Sequence, residues 1–256
     1  MNLRAALRTE RLLRVFALGH LYDPRLVEVV GHAGGYDAVW LDVEHAGLTM
    51  ADVRHGALAA RAAGLASFVR LPVTDYASVM RPLEAGAGGV MASMVRDVET
   101  ARRLVRWGRF PPLGERGING TGADGSYGAH AWPDYFRHAE ESTALGVQVE
   151  HADAVECVEE LAALEGVDFL FVGPSDLSQS LGVTGQWDHP ALWRAVERVA
   201  RACAARAMPW AILPLGPAYA RRCVELGCRM LSVGIDAWAF SRGIASLKDE
   251  YAELFS

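Results

Sequence analysis

Short apolar runs recur along this chain, and a helical spacing of apolar positions follows each one. The runs fall at 14–19, 38–43, 67–71, 89–95, 145–149, 169–172, 209–213 and 229–234. The helical stretches lie near 24–31, 50–63, 76–85, 98–107, 154–164, 192–207, 217–226 and 237–254. Runs this short and this uniformly apolar read as strands covered on both faces. Strands that alternate with helices imply a parallel sheet. Eight such units in 256 residues match the size of a (β/α)8 TIM barrel, an α/β fold. An open doubly wound sheet is the alternative. The first strand is not followed by the Gly-x-Gly-x-x-Gly turn common in such sheets, which favours the barrel. The expected domain takes in residues 1–256 as one unit.

The sixth run organises the rest. Asp168 precedes Phe169-Leu170-Phe171-Val172, and Gly173-Pro174 then stops the strand and forces a turn. Ser175 and Asp176 open the next segment, where unpaired backbone N–H groups favour anions. Asp176 is therefore either a helix cap or a metal ligand. The fifth run ends in Gln148-Val149-Glu150. Two carboxylates at the same end of one sheet are able to share a hard divalent cation.

A barrel of this kind carries its chemistry at the C-terminal ends of its strands. The second run ends in Leu41-Asp42-Val43-Glu44-His45, with Glu44 set apart from Asp42 as not equivalent to it. The third ends in Val69-Arg70-Leu71-Pro72. A permanent cation at an apolar rim needs an anion. Glu150 or Asp176 is expected to supply it structurally, or a substrate oxyanion functionally. His20 ends the first run, and His151 reads as a cap beside Glu150. Between the fourth and fifth units, residues 109–141 form a long insertion rich in Gly, Pro and aromatics. Tyr127, Trp132, Tyr135 and Phe136 imply that part of it packs.

Bulk properties narrow the partners. Apolar residues make up 51% of the chain, yet no apolar run approaches the ~18 residues of a membrane span. The first residues read as a short amphipathic helix without the apolar centre of a secretory signal. A net charge of −6 argues against nucleic acid as the main partner. The four cysteines show no Cys-x-x-Cys spacing, so reduced thiols and a cytoplasmic location are expected. Of 25 basic residues only Lys248 is a lysine, far from any strand end. Schiff-base chemistry therefore has almost no amine to use.

Taken together, Leu41-Asp42-Val43-Glu44-His45, Pro112-Leu113-Gly114-Glu115-Arg116-Gly117, Gln148-Val149-Glu150 and Val172-Gly173-Pro174-Ser175-Asp176-Leu177-Ser178 resemble the HpcH/HpaI aldolases. These are metal-dependent (class II) pyruvate aldolases of the phosphoenolpyruvate/pyruvate barrel superfamily. The resemblance runs in order across nearly the whole chain. It implies that Glu150 and Asp176 hold Mg2+ or Mn2+, with Co2+ or Zn2+ as further options. It implies that Gln148, Ser175 and Asp176 orient pyruvate, that Arg70 faces the oxygen that becomes enolate, and that His45 acts as base with Asp42 nearby. Glu84 stands where the family usually has an Asp linked to proton handling. Val90-Met91-Ala92-Ser93-Met94 replaces the common Val-Pro-Met. Both departures touch the aldehyde half of the site.

The implied reaction is reversible cleavage of a 4-hydroxy-2-oxo acid to pyruvate and an aldehyde through a metal-bound pyruvate enolate. The alternatives are an oxaloacetate-type decarboxylase or other enolate-using lyase and, in a different class, a metal-dependent hydrolase. The family also implies a homo-oligomer, trimer or hexamer, with the last helix exchanged between subunits.

Overall fold

The computed structural model describes residues 1–255; the last residue of the expected domain, Ser256, lies outside them. The elements follow in the order α1 (Leu3–Leu7), β1 (Leu13–Leu18), α2 (Pro24–Ala33), β2 (Ala38–Asp42), α3 (Met50–Ala62), β3 (Ala66–Pro72), α4 (Tyr76–Glu84), β4 (Gly89–Ser93) and α5 (Val98–Gly108). There follow α6 (Trp132–Ser142), β5 (Ala144–Val149), α7 (Ala152–Glu156), α8 (Val158–Ala163), β6 (Phe169–Val172), α9 (Pro174–Ser180), α10 (Pro190–Ala204), β7 (Trp210–Ile212), α11 (Pro217–Glu225), β8 (Met230–Ile235) and α12 (Asp236–Glu250). The eight strands form one closed parallel barrel in sequence order. Among the described residues no helix is long and apolar enough to cross a membrane.

Alternate strand residues serve two cores, as the pleat requires. Val15, Trp40, Phe68, Met91, Phe169, Phe171 and Met230 fill the barrel interior. Trp40 stacks on Phe171 at 5.3 Å, and Phe68 meets Phe169 edge-on at 5.9 Å. Val39, Leu41, Val69, Val90, Val147 and Leu170 face the helices instead. Full burial of each large side chain stabilises the fold by about 1.5–3 kcal/mol. Gly146 makes room for this filling, because a Cβ there would lie 2.2 Å from Phe169.

The early helices begin where capping residues satisfy their first N–H groups. Asp23, Thr49, Asp75 and Asp97 each accept a bond from the first turn of α2, α3, α4 and α5. The floor of the barrel is closed by α1, whose Leu3 and Leu7 join the interior cluster. Asp168 sits on that floor, just ahead of β6. It takes Arg4 Nε at 2.7 Å, the buried Arg109 guanidinium, and the Leu145 N–H at 2.8 Å. Its role is to lock the floor, at the end opposite the strand mouths.

Three features differ from the sequence pattern. The helix expected at 154–164 breaks at Cys157 into α7 and α8. Between the sixth apolar run and the helical stretch near 192–207 lies a further helix, α9, and the 109–141 insertion contains α6. In that insertion Phe110, Tyr135, Phe136 and Ala139 form a small separate core. Arg116 pairs with Asp124 at 2.5 Å, and the Tyr135 hydroxyl donates to Asp124 at 2.8 Å. Part of the insertion therefore packs, as its aromatics implied, while Tyr127 and Trp132 are exposed. At the other terminus α12 buries only Asp236, whose carboxylate accepts the Gly19 and Leu21 N–H groups. Trp238, Phe240, Ile244 and Leu247 on this helix stay exposed.

Candidate active site

At the C-terminal mouth of the barrel, register brings the first two groups together: Asp42 on β2 is paired with Arg70 on β3. Arg70 Nε donates to Asp42 Oδ1 at 3.0 Å and Nη2 donates to Oδ2 at 2.6 Å. The Glu44 carboxylate lies 3.3 Å from the same Nε, and the guanidinium sits 4.8 Å above the Trp40 ring. Two expectations are corrected here. The structural anion for Arg70 is Asp42 with Glu44, not Glu150 or Asp176. Nor is Glu44 set apart from Asp42: the chain bends after the strand, and both carboxylates reach the Arg70 guanidinium. Asp42 Oδ1 also accepts the backbone N–H groups of Glu44 and His45, which bends the chain after the strand. Burial pushes the Asp42 carboxyl up, but the bonds and charge of Arg70 outweigh it and hold it below the usual range.

Glu150 follows β5 and is 2% exposed. It accepts the Met94 N–H at 2.6 Å and a bond from Gln148 Nε2. Burial, with the negative charges of Glu44 and Asp176, pushes its carboxyl up to about 7 against the pull of Met94 and Arg70. The Met94 backbone is left-handed, with φ 51°, an uncommon conformation for a non-glycine residue. That turn aims its N–H at Glu150. Gly173 comes as close from the other side: a Cβ there would lie 2.6 Å from Glu150 Oε2 and 2.8 Å from Gln148 Nε2.

Asp176 stands in the first turn of α9, whose N-cap is Gly173 without a side-chain bond. The cap alternative for Asp176 is therefore not realised. Asp176 makes no hydrogen bond or ion pair among the described residues, yet its charge raises Glu150. The exposed Ser175 precedes it in the same turn. His45 lies at the rim with its side chain 57% exposed and Nε2 3.8 Å from Glu44. His20 is exposed in the turn after β1. His151 caps α7 by accepting the Asp153 N–H, as its position suggested.

Glu84 lies apart from these groups. It ends α4, which returns from the mouth towards the start of β4. Its carboxylate accepts from Asn119 Nδ2 at 2.9 Å, in a groove between α3, α4 and the 109–141 insertion. The chain does not bring Glu84 to its own strand mouths. Glu44, Ser93 and the Met94 N–H were missing from the sequence candidates. Ser93 was recoverable from its place at the end of the fourth run, whereas Glu44 reaches Arg70 through the bend after β2.

The acidic groups suit a hard cation. Buried Glu150 sits in an excess of negative charge, and Asp176 keeps a free carboxylate beside it. No cluster of three or more His, Cys, Asp or Glu able to hold a metal exists among the described residues. A cation held by two carboxylates keeps its other positions for water and substrate oxygens, a common Mg2+ arrangement.

A family model described as HpcH/HpaI aldolase/citrate lyase matches residues 15–242. A 5-keto-4-deoxy-D-glucarate aldolase from Klebsiella pneumoniae is 33% identical over 231 residues, covering 90% of this chain and 89% of that protein. The crystal structure of an HpcH/HpaI aldolase from Desulfitobacterium hafniense superposes with a TM-score of 0.90 at 32% identity, covering 97% of each chain. The citrate synthase SbnG is similar at a TM-score of 0.89 and 25% identity, covering 100% of this chain and 99% of that one.

Proposed function

The chain belongs to the HpcH/HpaI aldolase/citrate lyase family, and from that premise we propose that it is a pyruvate aldolase. Its reaction is the reversible cleavage of a 4-hydroxy-2-oxo acid to pyruvate and an aldehyde. The observation that carries this reading is Glu150. It is a buried carboxylate crowded by Glu44 and Asp176 and shared with Arg70, an arrangement a divalent cation would relieve. Glu150 and Asp176 would hold that cation, such as Mg2+ or Mn2+. When bound, it supplies Lewis-acid polarisation of the 2-oxo acid.

The chain's own residues do the rest. Asp42 occupies Nε and Nη2 of Arg70, so the Nη1 donors are free for the C2 oxygen, where negative charge develops. Gln148 and the backbone N–H groups around Ser175 and Asp176 orient the carboxylate end. His45, exposed at the rim, takes the 4-hydroxyl proton through water. The C3–C4 bond then breaks, its electrons pass to the C2 oxygen, and the aldehyde leaves. A proton returned to C3 gives pyruvate. Asp42 positions Arg70 and, through its backbone bonds, the His45 turn. The exposed apolar row of α12 supports a homo-oligomeric state.

A second reading, in which the enolate is used without an aldehyde, is favoured by the likeness to a citrate synthase. The two separate in one assay: the Mg2+-loaded protein is given 4-hydroxy-2-oxo acids and oxaloacetate in parallel. Pyruvate with an equal amount of aldehyde from the first set is expected. Turnover of oxaloacetate alone would favour the second reading.

A further inference from the structure

Trp40 is buried inside the barrel, and its indole Nε1 has no partner among the described residues. Buried polar atoms are normally satisfied, so an unpaired N–H here costs stability that a phenylalanine or leucine would not lose. The face of the ring accounts for the choice. The Arg70 guanidinium lies over it, with Cζ 4.8 Å from the centroid, and among aromatic rings indole attracts a cation most strongly. Trp40 is itself fixed: it stacks on Phe171 of β6 at 5.3 Å and meets Phe68 of β3 at 6.1 Å. Register makes this arrangement. Leu41 and Val69 belong to the outer core, whereas Trp40 and Phe68 belong to the inner one. The paired residues Trp40 and Phe68, and then Asp42 and Arg70, therefore follow one another along the inward row of β2 and β3.

Asp42 grips Arg70 by one edge, through Nε and Nη2, and Glu44 lies beside the same Nε. Two bonds to one edge leave the guanidinium plane free to tip about that edge. A ring against one face stops the tipping. It thereby fixes the aim of Nη1, which makes no bond among the described residues. We propose that Trp40 is a positioning residue for the aldol reaction: its ring supports Arg70 so that Nη1 stays directed at the C2 oxygen as negative charge develops there. The inference rests on the aldolase reading above and deepens it by naming what sets the aim of Arg70. That charge is greatest in the transition state, so a loosened Nη1 lowers kcat more than it raises KM.

The test compares Trp40→Leu and Trp40→Phe in the Mg2+-loaded protein, with 4-hydroxy-2-oxopentanoate as substrate. Trp40→Leu removes the ring face and should lower kcat about tenfold, with KM within about twofold of wild type. Trp40→Phe keeps an aromatic face and should recover most of that loss. In an Arg70→Lys background Trp40→Leu should lower kcat little further, because both changes act on one interaction. A merely structural Trp40 predicts lower melting temperatures with kcat unchanged, or an effect that adds in full to that of Arg70→Lys; either outcome overturns the proposal, as does Trp40→Phe being as slow as Trp40→Leu. Tryptophan emission gives a readout free of turnover. Pyruvate bound against Arg70 should change the emission of the wild type, and Trp40→Phe should lose most of that change while still binding pyruvate by calorimetry. An equal change in Trp40→Phe overturns the proposal even where Trp40→Leu fails to fold. A wild-type protein that neither cleaves the substrate nor binds pyruvate overturns the aldolase reading itself.

Discussion

Replacing Glu150 with Gln should make the metal-free protein more stable while abolishing its activity. The wild-type carboxyl is held near 7 instead of its ordinary 4.5 by burial and by the charges of Glu44 and Asp176. Once ionised, a carboxylate in that position costs the folded state about 3 kcal/mol. Between those two values the folded protein binds more protons than the unfolded chain, so stability falls as pH rises. The penalty is absent below about pH 4.5 and fully present above about pH 8. Glu150→Gln keeps the shape and removes the charge. Gln148 Oε1, free in the wild type, can rotate to accept from the new amide. In EDTA at pH 8 the variant should melt about 6 °C or more above the wild type, at roughly 2–4 °C per kcal/mol for a chain of this size. At pH 5 the difference should nearly vanish. Calorimetry at the two pH values, with Mg2+ titration of both proteins, checks this. A variant less stable than wild type at pH 8, or one that binds Mg2+ as tightly, would refute the reasoning.

Arg70→Lys keeps a charge but not the two-pronged grip on Asp42 or the free Nη1 donors. We expect kcat to fall about 100-fold with a smaller change in KM, measured by pyruvate release; a kcat within twofold of wild type would leave Arg70 only a structural role. Asp168→Asn breaks the floor network of Arg4, Arg109 and the Leu145 N–H. It should cost about 3 kcal/mol in urea unfolding and leave kcat unchanged at a permissive temperature, because the floor lies at the opposite end from the mouth.

The barrel was legible because its signals are local and repeated. Each strand is a short apolar run, and α2, α3, α4 and α5 start at capping Asp or Thr residues. Gln148, Glu150, Arg70 and Asp42 were legible for a related reason: each sits at the end of such a run, and a barrel gathers strand ends. The partner of Arg70 was not, because it depends on which strands are neighbours, and β2 lies beside β3 whereas β5 does not. The helix α6 was hidden in a segment whose Gly and Pro content dominates its pattern. Glu84 was legible as lying just before β4, which puts it at the end of the barrel away from its own chain's strand mouths; its contact with Asn119 of the insertion was not, because nothing local joins the two.

The most direct measurement of the metal-and-enolate claim is exchange of pyruvate methyl protons with deuterium, followed by NMR with and without EDTA. Exchange that EDTA abolishes and Mg2+ or Mn2+ restores in the wild type, and that neither ion restores in Glu150→Gln or Asp176→Asn, is the expected result. Exchange at full rate in EDTA, or in either variant, would contradict it.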